Sequence, residues 1–214
     1  MDESEPGWIV GRRMTKGYGC RMKRLALLAA LFVLPACASL PAPDEPQQRF
    51  FDRLRSLCGK AYTGRVVSND AADREMAGAV LVMHVRACSA GEIRIPFHVG
   101  ENRSRTWVIS RSATALRLKH DHRHKDGSED ALTQYGGDTE SAGTIRRQEF
   151  PADRHSRELF VRGNIPASAA NVWAVEIEPG RTFAYELRRP NRHFRVEFDL
   201  TRPATPPPAP WGAD

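Results

Sequence analysis

The chain has no apolar run of membrane-spanning length, few aromatic residues and none of the short signatures that announce a reaction. Its longest unbroken apolar segment, Leu25 to Leu34, is ten residues, about half of what a bilayer-spanning helix needs. G-x-S-x-G, a Walker loop, a dinucleotide fingerprint and H-E-x-x-H are all missing. Nothing local therefore points to a serine hydrolase, an NTPase, a Rossmann enzyme or a zincin. Ser110 and Ser112 have no evident base and orienter, and we assign no catalytic residue.

A basic stripe is missing too. The net charge is +6, from 32 basic and 26 acidic residues, but residues 1–37 hold six of the former and three of the latter. Half of the excess thus belongs to that segment. Elsewhere the signs interleave, as in Arg94, Arg117, Lys119, Asp121, Arg195, Glu197 and Asp199, which is the pattern of wet strand faces. Nucleic-acid binding is not expected. With 41% hydrophobic and 27% charged residues, the composition is that of a globular chain able to bury a core.

What is present begins with an export signal. Lys23-Arg24, the apolar run and the small residues Ala36 to Ser39 have the layout of a secretory leader. Met22 directly precedes it, so residues 1–21 read as an over-extended gene start and 22–37 as the signal. Leu34-Pro35-Ala36-Cys37 resembles a bacterial lipoprotein box, with Cys37 lipidated and the protein anchored to the outer membrane on its periplasmic side. Ala36-Cys37-Ala38 also fits an A-x-A site, which would release a soluble periplasmic protein. Residues 38–48, with Pro41, Pro43 and Pro46, suit an extended tether, and 203–214 form a second proline-rich tail. Of four cysteines, Cys58 and Cys88 remain for the domain. In an oxidising periplasm they pair or stay as buried thiols.

Residues 49–202 read as one domain. Phe50, Phe51, Leu54 and Leu57 make one apolar helical face over Gln47 to Leu57, stopped by Gly59. After that the period becomes two. Strands are expected over Tyr62–Val67, Val80–Cys88, Glu92–Val99, Arg105–Ser110, Ala115–His122, Thr144–Phe150, Leu159–Arg162, Val172–Ile177, Arg181–Leu187 and His193–Leu200. Turn residues such as Ala90-Gly91, Asp126-Gly127 and Pro179-Gly180 separate many of them. The expected fold is all-β: an up-and-down antiparallel β-barrel, lipocalin-like, with one short N-terminal helix capping an end. A two-sheet β-sandwich is the alternative.

The most unusual stretch is Leu116 to Gly127. Alternation puts His120, His122 and His124 on the inward face with Leu116 and Leu118, where imidazoles at spacing two can share a divalent metal ion. The competing view is a charged hairpin end in water. Trp107, Tyr135, Trp173 and Tyr185, with Phe183, are candidates to line a ligand cavity, against plain core filling. His84 and His98 fall opposite their apolar neighbours and read as surface or groove residues. Tyr135-Gly136-Gly137 marks a bulge, a tight turn or a binding loop.

Trp107, His120-Asp121-His122-Arg123-His124, Asp126-Gly127 and Tyr135-Gly136-Gly137 together resemble a group of uncharacterised secreted and lipoprotein-type proteins of Gram-negative bacteria. That resemblance implies export and carries no activity. A looser likeness, in the short helix, Gly59, Tyr62 and Gly64, is to lipocalin-like (calycin) barrels. Lipocalins carry Gly-x-Trp here, whereas this chain has Tyr62 at a different spacing. The expected role is a non-enzymatic envelope protein holding a small apolar or amphipathic ligand in a barrel cavity, with a membrane contact through a lipid anchor and no cofactor. A His-rich metal-binding protein or metal-dependent enzyme, and a structural or assembly lipoprotein with a protein partner, are the alternatives.

Overall fold

In a computed structural model, which describes residues 45–213, the apolar face of the first helix is fully used. Helix α1 (Glu45–Arg55) buries Phe50, Phe51 and Leu54 completely. Each such side chain contributes about 2 kcal/mol by leaving water. Pro46 sits in the first turn, where its missing N–H costs nothing. The last residues of the expected tether are therefore helical, and Gly59 (φ +81°) ends the turn that follows. The gene start, the signal, Cys37 and most of the tether lie outside the described residues.

Eleven strands follow: β1 (Ala61–Val66), β2 (Leu81–His84), β3 (Ala87–Cys88), β4 (Glu92–Val99), β5 (Asn102–Arg111), β6 (Leu116–His122), β7 (Tyr135–Asp138), β8 (Arg147–Pro151), β9 (Val172–Glu178), β10 (Thr182–Arg189) and β11 (Arg192–Ala204). The ladder runs β7-β6-β5-β4-β2-β1-β11-β10-β9-β8, antiparallel throughout, with the two-residue β3 as a spur on β4. Ten strands thus wrap into a nearly closed barrel, as the alternation predicts. The expected strand Val80–Cys88 is split, because Val85 turns into the core between β2 and β3.

One expected strand is overturned. Leu159–Arg162 belongs to helix α3 (Arg154–Arg162). Asp153 caps it by accepting from the Ser156 N–H at 2.8 Å, and the buried residues Ser156 and Phe160 are four apart. That is a helical period, and the cap outweighs the local β preference of Phe160-Val161. A further helical turn, α2 (Arg74–Ala77), sits in the β1–β2 connection. The barrel therefore has more helix than the single N-terminal one expected.

The two free edges, β7 and β8, meet at a seam without a regular ladder. The Asp153 N–H donates to Gly136 O at 2.9 Å. Ser156 Oγ accepts from Gly136 N–H (2.7 Å) and donates to Gly136 O (2.8 Å). A Cβ on Gly137 would stand 1.7 Å from Pro151 O, and one on Gly136 1.8 Å from Leu118 O. The glycine pair lies in strand β7 and allows backbones to touch where side chains cannot fit.

The α1 helix packs against β8 and β9 and plugs the end of the barrel that holds the β5–β6 turn. There Gln47 Nε2 donates to Thr139 Oγ1 at 2.9 Å, and Arg111 lies over the Phe51 ring. Cys58 and Cys88 are joined as a disulfide, with Cα atoms 6.3 Å apart. The proline-rich tail is held: the Trp211 N–H donates to Arg103 O (3.1 Å), Arg103 Nη1 donates to Ala209 O (3.1 Å), and Pro210 is buried.

Candidate functional site

Strand pairing lines up two rungs of side chains inside the barrel, near the end opposite α1. The inner rung is Ile95, Trp107, His120 and Tyr135, on β4, β5, β6 and β7. The outer rung is Phe97, Arg105 and His122. Alternation creates both, since Arg105, Trp107 and Ile109 on β5 share a face, as do His120 and His122 on β6.

Aromatic rings fill the interior at the inner rung. Trp107 stacks on Tyr185 with centroids 4.3 Å apart and on Phe97 at 4.8 Å. His120 stacks on Tyr135 at 4.5 Å, and Trp173 lies 5.1 Å from the same imidazole. His120 spans the barrel, with Nε2 2.7 Å from the Tyr185 hydroxyl and Nδ1 3.1 Å from Tyr135 O. A carbonyl only accepts, so Nδ1 carries the proton and Nε2 accepts from Tyr185. His122 Nε2 is 3.2 Å from the Tyr135 hydroxyl.

Both histidines are held neutral. Burial drives His120 down to about 3, helped by the neighbouring His122. Burial, then the Arg105 charge, lowers His122 to about 4. Desolvation raises the Tyr135 and Tyr185 phenols, so both keep their protons.

Above the inner rung is a cleft of about 130 Å³. Its walls include Trp107, Tyr135, Tyr185, His120 and His122. Met76 from the β1–β2 connection overhangs it, beside the Asp73–Arg192 ion pair. Three depressions are larger: two of about 520 and 450 Å³ are open grooves along β1, β10 and β11, lined mainly by charged and polar side chains, and one of about 230 Å³ lies between Arg103, the Lys125–Gly127 turn and the tail at Ala209–Gly212.

Of the four aromatics expected at a ligand site, Trp107, Tyr135 and Tyr185 reach the cleft. Trp173 does not: it is fully buried, and its indole N–H has no partner among the described residues. The expected histidine trio is not brought together. His120 and His122 line the cleft, but His124 lies beyond the end of β6, mostly exposed, 3.9 Å from Asp130. Among the described residues no group of three or more His, Cys, Asp or Glu side chains is placed to hold a metal ion. Asp121 faces outward, bound by Arg94 at 2.7 Å and Arg123 at 2.8 Å. His84 and His98, expected at the surface or in a groove, are buried, and His98 Nε2 has no partner among the described residues.

Sequence reasoning passed over Arg105. Its signal was available, because a charged residue shares the inward face of β5 with Trp107 and Ile109. Arg105 is half-buried, and among the described residues its side chain makes one hydrogen bond, 3.5 Å long, to Ser104 Oγ. Neither a protein-family model, nor a curated protein, nor a solved structure matches the chain.

Proposed function

We propose that the chain is an exported envelope protein that binds a small amphipathic ligand in the cleft at the open end of its barrel. The observation that carries this reading is the cleft itself: about 130 Å³, floored by stacked aromatics and rimmed by a few polar groups. Ligand sites combine those features, an apolar body with sparse convergent polar atoms. A cavity on the order of 150 Å³ accepts a benzene-sized molecule, so the ligand is compact, not a long acyl chain.

Export is supported by the leader-like segment and by the Cys58–Cys88 disulfide, which suits an oxidising compartment. A binding role without catalysis is favoured by the state of the histidines. His120 has both nitrogens engaged, and both imidazoles are held neutral far from the range useful for proton transfer near neutrality. Metal binding has weaker support, since His120 has no free nitrogen and His124 lies outside the cleft. Anchoring by a lipidated Cys37 is part of the proposal and is tested by labelling with a palmitate analogue.

Native mass spectrometry of protein taken from its own envelope tests the ligand reading. A stoichiometric small-molecule adduct, released by a cleft-filling Leu187→Trp substitution, is the expected result. An adduct unaffected by that substitution would overturn it.

A further inference from the structure

We infer that the ligand bears a carboxylate and that Arg105 receives it. This rests on the reading of the cleft as a ligand site and adds the chemistry of its polar end.

Arg105 is the charged residue of β5 that lines the cleft, paired across the sheet with Phe97 on one side and His122 on the other. Among the described residues its side chain forms no ion pair, and a 3.5 Å contact to Ser104 Oγ is its only side-chain hydrogen bond. The contrast with Arg192 across the cleft is sharp. That guanidinium is clamped by Asp73, with Nη1 2.8 Å from Oδ2 and Nη2 2.5 Å from Oδ1, and lies 3.3 Å from Asp70. Asp73 is thereby already neutralised and gives Arg105 nothing.

The cleft wall therefore holds one guanidinium, Arg105, that no carboxylate of the described residues meets, beside neutral imidazoles and an Arg192 shared by Asp73 and Asp70. A half-buried guanidinium without a partner is costly. A ligand carboxylate relieves that cost through two parallel N–H···O bonds, which a guanidinium fork is shaped to make. The Trp107 and Tyr185 rings below supply the apolar floor. The ligand class is a small monocarboxylate with a compact apolar body.

Benzoate and benzyl alcohol serve as probes, since they share a ring and differ in charge. Binding to the full chain is followed near neutral pH by calorimetry, with chemical-shift mapping to locate the site. Benzoate is expected to bind at least about tenfold tighter, shifting Trp107 and His122 signals. Arg105→Gln is expected to abolish that preference, bringing the two probes to similar affinities. Equal affinities, a preference that survives Arg105→Gln, or benzoate shifts confined to the Arg188–Arg192 groove would each overturn the carboxylate assignment and leave the cleft reading standing. Failure of both probes to perturb Trp107 and His122 would overturn the cleft reading with it.

Discussion

The imidazole of His120 on β6 accepts a hydrogen bond from the hydroxyl of Tyr185 on β10, 2.7 Å away across the barrel interior. The two strands are far apart around the sheet, so this contact ties opposite walls. Tyr185→Phe leaves the buried Nε2 lone pair without a donor. Such a loss costs about 1–3 kcal/mol. A lowered urea midpoint with an unchanged denaturant slope is expected, and an unchanged midpoint would refute the coupling.

The same histidines set the response to acid. His120 and His122 are held near 3 and 4 in the fold, against 6.5 without it. Where the folded value is the lower one, the unfolded chain takes up protons first. Their contribution is therefore complete above about pH 6.5 and declines as the pH falls towards the folded values. Urea titrations between about pH 7 and pH 4 should show falling stability. His122→Gln removes one of the two titrating groups, and its stability should decline less steeply over that interval. A parallel decline would sink the assignment.

On the outer face, Glu186 is nearly inaccessible beneath Arg147, Arg188 and Arg195. Arg195 Nη1 is 3.0 Å from Oε2 and Arg147 Nη2 is 3.1 Å from Oε1. Although burial opposes ionisation, the bonds from Arg188, Arg147 and Arg195 hold the carboxyl down at about 2. Its stabilisation is present above the ordinary carboxyl range and fades as the pH falls through that range towards 2. Glu186→Gln takes the carboxylate from Arg188, while Arg147 keeps Glu149 and Glu176 and Arg195 keeps Glu176 and Glu197, and a loss of about 1–3 kcal/mol is expected. Because the glutamine no longer titrates, the variant should also lose part of the acid sensitivity below about pH 4.5.

The seam offers a geometric test. Gly137→Ala would push a methyl group into Pro151 O, a backbone atom that cannot swing aside. A loss of at least about 3 kcal/mol is expected, at the upper end for overpacking. Gly91→Ala, with nothing within 4 Å of the added Cβ, should stay within about 0.5 kcal/mol of the parent. Equal effects would mean that the edges are not pressed together as described.

Much of the barrel was legible because strand alternation is a local signal. Phe194, Val196, Phe198 and Leu200 face inward on β11 and are all buried. Helix α3 was misread because Leu159-Phe160-Val161 favours a strand by composition, while its cap lies six residues upstream of Leu159, at Asp153. The site was half legible. His120, His122 and Tyr185 follow from alternation, and Tyr135 stands in a strand, β7, where a bulge, turn or loop was expected; three further details depend on which strands become neighbours. These are Trp173 sinking below the cleft, the β6 face ending before His124, and Arg105 lacking a counter-ion. The glycine pair was ambiguous for the same reason, since its meaning lies in the backbone of a distant residue, Pro151.

The first strand of the barrel is paired with the last, while the other neighbours in the ten-strand ladder are successive along the chain. Cut between β7 and β8 and rejoined at its ends, the polypeptide would trace the sheet from rim to rim in one continuous zigzag. The meeting of β1 with β11 is thus the single long-distance closure in an otherwise local assembly. Bringing those ends together carries the largest loop entropy of any strand pair, so the folding rate should depend on that encounter more than on any hairpin.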